Sequence, residues 1–153
     1  MSNKKFTPKL NTISKDPLIG EAFSIAESIY DLLPQLPTDE RWETAGKLRQ
    51  ASNSLLFNIA KAVADSSPTG GEYDWSNARK EAAGLLTMYR FADKRGFIEK
   101  DASLVLKIDQ IIKSIDKEVL DAHKRAEAYY KHELAVWEDK YDMWQKLNKE
   151  MAK

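Results

Sequence analysis

The stretch DASLVLKIDQIIKSIDKEVLDAHKRAEAYYKHELAVWEDKYDMWQKLNKEMAK, Asp101–Lys153, decides the fold. No glycine or proline interrupts the chain from Phe97 to Lys153, and Asp101 stands where an N-cap carboxylate opens a helix. Leu104, Ile108, Ile111, Ile115, Val119, Ala122 and Ala126 recur at steps of three and four, which is one apolar stripe on a helical surface. The stripe continues through Tyr130, Leu134, Trp137, Tyr141 and Trp144. Unbroken, such a helix is about 75–80 Å long at 1.5 Å per residue. The other helical segments are a third to a half of that, so the end beyond Ala126 is expected to overhang any compact bundle.

Working back towards the N-terminus, Asp16-Pro17 reads as a helix start, an N-cap acid followed by proline in the first turn. Leu18, Ala22, Ile25, Ile29 and Leu32 form one seam, and Ile19, Phe23, Ala26, Tyr30 and Leu33 a second beside it. A stripe this wide predicts contact on two sides, within a bundle or at a subunit interface. Pro34 and Pro37 end the helix. Thr38 is the expected N-cap of the second helix, with Asp39 and Glu40 in its first turn and a seam of Ala45, Leu48, Ser52, Leu55, Ile59 and Val63. After the loop-like run Ser66–Gly71, Asp74 is the expected cap of a third helix with the seam Trp75, Ala78, Ala82, Leu85, Tyr89 and Ala92. Gly96 follows the basic last turn of Lys94 and Arg95 as a left-handed C′ residue. The expected fold is all-α: an antiparallel up-down four-helix bundle over 16–126, a basic flexible tail over 1–15 and a helical C-terminal extension over 127–153. Leu48, Leu55, Ile59, Leu85, Tyr89, Ile108, Ile111 and Ile115 are its predicted core.

A chain of 153 residues suits one domain with a real core, and it contains no cysteine, so disulfides, thiolate metal sites and thiol nucleophiles are excluded. The lysine-bearing N-terminus lacks an apolar h-region, and no run approaches the roughly 18 apolar residues of a membrane span. A cytoplasmic protein without membrane contact is expected. The 24 basic and 24 acidic residues balance to +0, whereas dedicated nucleic-acid binders carry a basic excess. The balance is uneven locally: Lys4, Lys5, Lys9 and Lys15 precede any acid, and 16–37 carries Asp16, Glu21, Glu27 and Asp31 with no base.

Catalytic signatures are missing. The only histidines are His123 and His132, and Leu120 and Tyr129 occupy the places that a Glu-x-x-His di-metal bundle gives to glutamate. His123 and Glu127, one turn apart, offer at most half a metal site. Gly70-Gly71 lacks the lysine of a phosphate loop, and no serine–histidine–acid pattern occurs. The expectation is a non-enzyme with no cofactor and no metal. Two polar stripes could hold phosphates: Lys47, Ser54, Asn58 and Lys61 on the second helix, and Arg79, Arg90 and Lys94 on the third. The alternative is that both are the solvated sides of amphipathic helices. Lys47, Lys61, Arg79, Arg90 and Lys94, with the N-terminal lysines, are the candidate nucleic-acid contacts.

Several runs in order, Pro37-Thr38-Asp39-Glu40-Arg41-Trp42, Leu48–Ser54, Asn58-Ile59-Ala60-Lys61-Ala62, Ala82–Leu86 and Lys94-Arg95-Gly96-Phe97-Ile98, resemble the four-helix-bundle family of proteins encoded in 23S rRNA intervening sequences. That family is in turn similar to Avd, the accessory variability determinant of diversity-generating retroelements. Arg41, Arg49 and Asn58 match motif positions of the second helix, and Arg95 and Gly96 match the end of the third. Leu56-Phe57 and Lys61-Ala62 depart from the proline and Glu-Gly that usually flank Asn-Ile-Ala. The resemblance, over about 17–120, implies a homo-oligomeric ring, typically a pentamer, that partners a reverse transcriptase and binds RNA or DNA.

Two readings follow. One is a non-catalytic oligomeric adaptor of the Avd type. The other is a purely protein-binding scaffold whose C-terminal helix recruits a partner without nucleic acid. In either, Phe23, Tyr30, Tyr130, Leu134, Trp137, Tyr141 and Trp144 are the expected oligomer or partner interface.

Overall fold

A computed structural model describes residues 15–152. Four α-helices, α1 (Pro17–Leu32), α2 (Thr44–Ala64), α3 (Glu72–Lys94) and α4 (Ala102–Met151), account for most of them, with no strand among the described residues. Each helix packs on its sequence neighbours, and α4 closes the arrangement against α1. The connections at 65–71 and 95–101 are short, as in an up-down bundle, whereas 33–43 is longer and carries two 3₁₀ turns, Leu33–Gln35 and Thr38–Glu40. The expected basic tail lies, apart from Lys15, outside the described residues.

The core is one aliphatic column with aromatic ends. Ile25, Ile29, Leu48, Leu55, Ile59, Leu85, Leu104, Ile108, Ile111 and Ile115 are almost wholly buried, and Tyr89 is the largest side chain among them. All eight residues expected in the core from periodicity are there. Small residues (Ala22, Ala78, Ala82 and Ala92) fill the positions where helices approach. No buried side-chain polar atom among the described residues lacks a hydrogen-bond partner.

The helix ends show how local signals and burial compete. Asp16 caps α1 by accepting the Leu18 N–H at 2.9 Å, with Pro17 in the first turn. Thr38 does not cap α2. Thr38–Glu40 is a single 3₁₀ turn, and α2 begins at Thr44, behind Glu43 and without a side-chain cap. Stepping the core stripe of α2 back one turn from Ala45 lands on Arg41, which cannot be buried cheaply, so the chain stays irregular from the buried Leu36 to Thr44. The Thr44 hydroxyl instead donates to Glu40 Oε2 at 2.5 Å.

Asp74 is not the cap of α3 either. The Trp75 N–H already bonds the Gly71 carbonyl at 2.8 Å, which makes Asp74 an acid inside the first turn. Gly71 takes φ +84°, open to glycine at little cost, and the Asp65 carboxylate accepts the N–H groups of Ser67 (3.0 Å) and Gly71 (3.2 Å) to hold the loop. These hydrogen bonds keep the Asp65 carboxyl below its ordinary pKa.

The α3–α4 corner matches its sequence signals. Gly96 sits at φ +69° and closes a Schellman motif: its N–H bonds Asp93 O and the Phe97 N–H bonds Ala92 O, both at 2.9 Å. Asp101 caps α4 through Oδ1, which accepts from Ser103 N (2.9 Å) and Leu104 N (3.1 Å). The Tyr89 hydroxyl, from inside the core, accepts the Asp101 N–H at 2.7 Å and donates to the Asp101 carbonyl at 3.3 Å. Burial pushes the Tyr89 pKa up, so the phenol stays neutral and able to do both.

Leu55→Ala or Ile111→Ala should destabilise by about 2–5 kcal/mol, read as a lowered midpoint in denaturant unfolding. Asp101→Ala should cost about 1 kcal/mol at neutral pH. The cap hydrogen bonds from Leu104 and Ser103 lower the Asp101 pKa in the folded chain. Its contribution is therefore present above the ordinary aspartate pKa, about 3.9, and disappears as pH falls through the lower folded value. Wild type and Asp101→Ala should converge in stability in that acidic window and differ above it.

Candidate functional site

Ala126 is the last buried residue of α4, and the helix runs on to Met151 with its side chains mostly exposed among the described residues. Along that overhang Tyr130, Leu134, Trp137, Tyr141 and Trp144 share one face, each 46–62% exposed. The aromatics have organised against one another: Trp137 and Tyr141 stack at 5.3 Å with 13° between planes, and Tyr141 meets Trp144 at 6.1 Å. The Tyr141 hydroxyl accepts from Gln145 Nε2 at 2.8 Å. So long a run of exposed aromatic surface on one helix face is uncommon where nothing binds to it.

At its base the aromatic face opens into a groove of about 380 Å³ between the first turn of α3 and α4, lined by Glu72, His123, Ala126, Tyr130 and Leu134. His123 Nδ1 lies 3.0 Å from Glu72 Oε1 across it. Glu127 pairs with Lys131 at 2.8 Å, and that ammonium holds the Glu127 carboxyl below its usual range. Among the described residues no group of three histidine, aspartate or glutamate side chains is placed to hold a metal.

A second apolar surface lies on α1. Phe23 and Tyr30, about half exposed, flank a groove of about 490 Å³ with Ala26, Asn53 and Leu56. Asn53 Nδ2 donates to the Tyr30 hydroxyl at 2.9 Å, which fixes the ring over α2. The two seams of α1 thus divide: Ala22, Ile25, Ile29 and Leu32 face the core, while Phe23 and Tyr30 face outwards.

The five candidate cations do not form one patch. Lys47 pairs with Glu43 at 3.0 Å, Lys61 with Asp74 at 2.7 Å, and Arg79 with Asp116. Lys61 also sits 5.2 Å above the Phe57 ring. Lys61 lies at the α2–α3 end of the bundle, whereas Lys47, Arg90 and Lys94 lie at the opposite end. Arg90 and Lys94 are exposed, with no carboxylate at ion-pair distance among the described residues. Lys4, Lys5 and Lys9 fall outside those residues.

The family-motif residues are divided too. Arg41 and Arg49 are exposed and Asn58 is half-buried. Arg95 lies 5.5 Å over the Phe97 ring, and Phe97 in turn meets Phe91 edge-on at 6.4 Å. Reading the sequence for charge alone misses Phe91 and Phe97. With Arg90, Lys94 and Arg95 they make a corner of cations and aromatic rings at the end of α3, the pairing that single-stranded nucleic acid uses. The signal that reveals them is the interleaving Arg90-Phe91…Lys94-Arg95-Gly96-Phe97.

No helix is long and apolar enough to cross a membrane among the described residues. The family model for the 23S rRNA-intervening sequence protein matches residues 18–117, which takes in α1 to α3 and about the first third of α4 and leaves the aromatic overhang outside. A search of curated proteins found no match.

If the α3 corner holds phosphates, Arg90→Glu with Lys94→Glu should abolish retention on labelled RNA. Wild-type retention should fall steeply between low and high salt and depend little on base sequence, because these cations have no base-reading geometry. Lys47, Lys61 and Arg79 reversals should matter less, since each already has a carboxylate partner.

Proposed function

Because this chain belongs to the family of 23S rRNA-intervening sequence proteins, we propose that it is a non-catalytic oligomeric adaptor acting in the cytoplasm, in which protein contacts dominate. The single observation behind this reading is the overhang: a continuous helix whose aromatic face is left uncovered among the described residues. Burying one such side chain against a partner is worth on the order of 2 kcal/mol by area, and several together suffice to hold a helix that would otherwise fray. The Phe23 and Tyr30 groove on α1 is the second contact surface. In this reading it joins neighbouring copies into a ring, of five by resemblance to the ring-forming relatives.

The motif resemblance to Avd supports a reverse transcriptase as the recruited protein. Nucleic acid, RNA or DNA, enters as a second component through the Arg90, Lys94 and Arg95 corner, an observation that favours it despite the neutral net charge. Without that corner the reading reduces to a purely protein-binding scaffold.

Phe23→Asp should dissociate the ring while leaving the helical signal intact, read by light scattering and circular dichroism. A chain truncated after Ala126 should keep the folded bundle, since the core seam of α4 is complete there. It should lose co-purification of the reverse transcriptase or lower the particle mass. A truncated protein that assembles and recruits as the full chain does would remove the overhang from the function.

A further inference from the structure

The overhang carries a charge pattern that selects its occupant. Tyr130, Leu134, Trp137, Tyr141 and Trp144 follow alternating four- and three-residue steps after Leu134, as in the seam of a two-stranded coiled coil. Lys131 and Glu138 flank the seam on one edge, and Glu133 and Lys140 flank it on the other. We propose that the overhangs of two copies of this chain, one from each of two facing rings, pair antiparallel, each covering the aromatic face of the other. This deepens the adaptor reading above by naming what covers the face.

Charge complementarity decides the direction. Set Tyr130 opposite Tyr141 of the second copy and Leu134 opposite Trp137 of the second copy, so that the two-fold axis passes between Ala135 and Val136. Lys131, exposed and exchanging its Glu127 partner, then meets Glu138 of the second copy, and Glu133 meets Lys140 of the second copy. Both pairs occur twice. In the parallel, in-register alternative Glu133 faces Glu138 of the second copy on both sides, while Lys131 and Lys140 face Ala126 and Gln145. The same residues therefore give four attractive contacts one way and two repulsive ones the other.

The shape of the bundle end fits this register. In the antiparallel pairing Trp144 of the second copy arrives level with Glu127, at the groove lined by Ala126, Tyr130 and Leu134. One turn further on, Glu72 and His123 close the seam. The overlap from 127 to 144 is about 27 Å long at 1.5 Å per residue. With four half-exposed aromatics and a leucine from each copy, it buries on the order of 1,000 Å² in all, the size at which a specific interface becomes stable. Leu134 opposite Trp137 sets a smaller side chain against a larger one, as close packing of two helices requires.

The absence of native cysteine makes the test direct. Full-length Tyr130→Cys and Tyr141→Cys proteins are oxidised separately and as a mixture, and read on a non-reducing gel. Antiparallel pairing gives a disulfide-linked pair abundantly in the mixture and not in either protein alone. Cross-linking of Tyr130→Cys with itself means parallel helices, and no cross-linking anywhere means another occupant; either overturns the proposal.

Charge reversal supplies a readout in which the aromatic seam is intact. Glu138→Lys should weaken pairing about tenfold, and Lys131→Glu added to it should restore it, by sedimentation at low salt. A tighter assembly from Glu138→Lys alone is the parallel result and overturns the proposal. Retained recruitment of the reverse transcriptase by full-length protein that fails to cross-link would sink the pairing and leave the adaptor reading standing. Loss of recruitment on truncation is not needed for the cross-link, so the two ideas fail separately.

Discussion

Helices of 16, 21 and 23 residues can cover only part of a fourth that has 50. With no glycine or proline in the long one, the mismatch cannot be relieved by a turn, and much of the molecule follows from it. The first half of α4 supplies the Leu104, Ile108, Ile111 and Ile115 face that the other helices close around. The second half must stand in water or find company. A polar overhang would have satisfied the same geometry. Side chains as costly to expose as Trp137 and Trp144 make company the better solution.

What aims the overhang is set at the other end of α4. The Schellman turn at Gly96, the Asp101 cap and the Tyr89 hydroxyl together fix the residue at which α4 begins. Tyr89 links core and corner in one side chain, its ring among buried aliphatics and its oxygen on the backbone of Asp101. The same corner presents Arg90, Lys94 and Arg95 with Phe91 and Phe97. The basic-aromatic corner and the aromatic overhang thus sit at opposite ends of the bundle, and a partner at one leaves the other open.

Most of the architecture was legible because periodicity and caps agreed. Asp16-Pro17, Gly96 and Asp101 behave as their chemistry dictates, and the core seams are in phase. Thr38 and Asp74 misled for opposite reasons. Thr38-Asp39-Glu40 has the composition of a helix start but would bring Arg41 to the core, so burial overrode the local signal. At Asp74 the helix had already started, because a buried glycine with positive φ did the work of a cap, aided by the distant Asp65. The candidate site was less legible. The exposed face of α4 could be read from spacing, but the carboxylates beside Lys61 and Arg79 come from other helices, and no local pattern announces them.

The continuity of α4 joins two quantities that a loop would keep apart. Along a rigid helix each inserted residue moves the tip by 1.5 Å and also swings it by about 100° around the axis. Adding or deleting one residue just beyond Ala126 would leave every contact in the bundle unchanged, yet point the aromatic face away from its former direction. Length changes of seven residues restore the heading almost completely. The reach of this protein is therefore quantised: the overhang keeps its bearing when it lengthens or shortens by close to a whole number of turns, about seven, eleven or eighteen residues, and loses it at most lengths between.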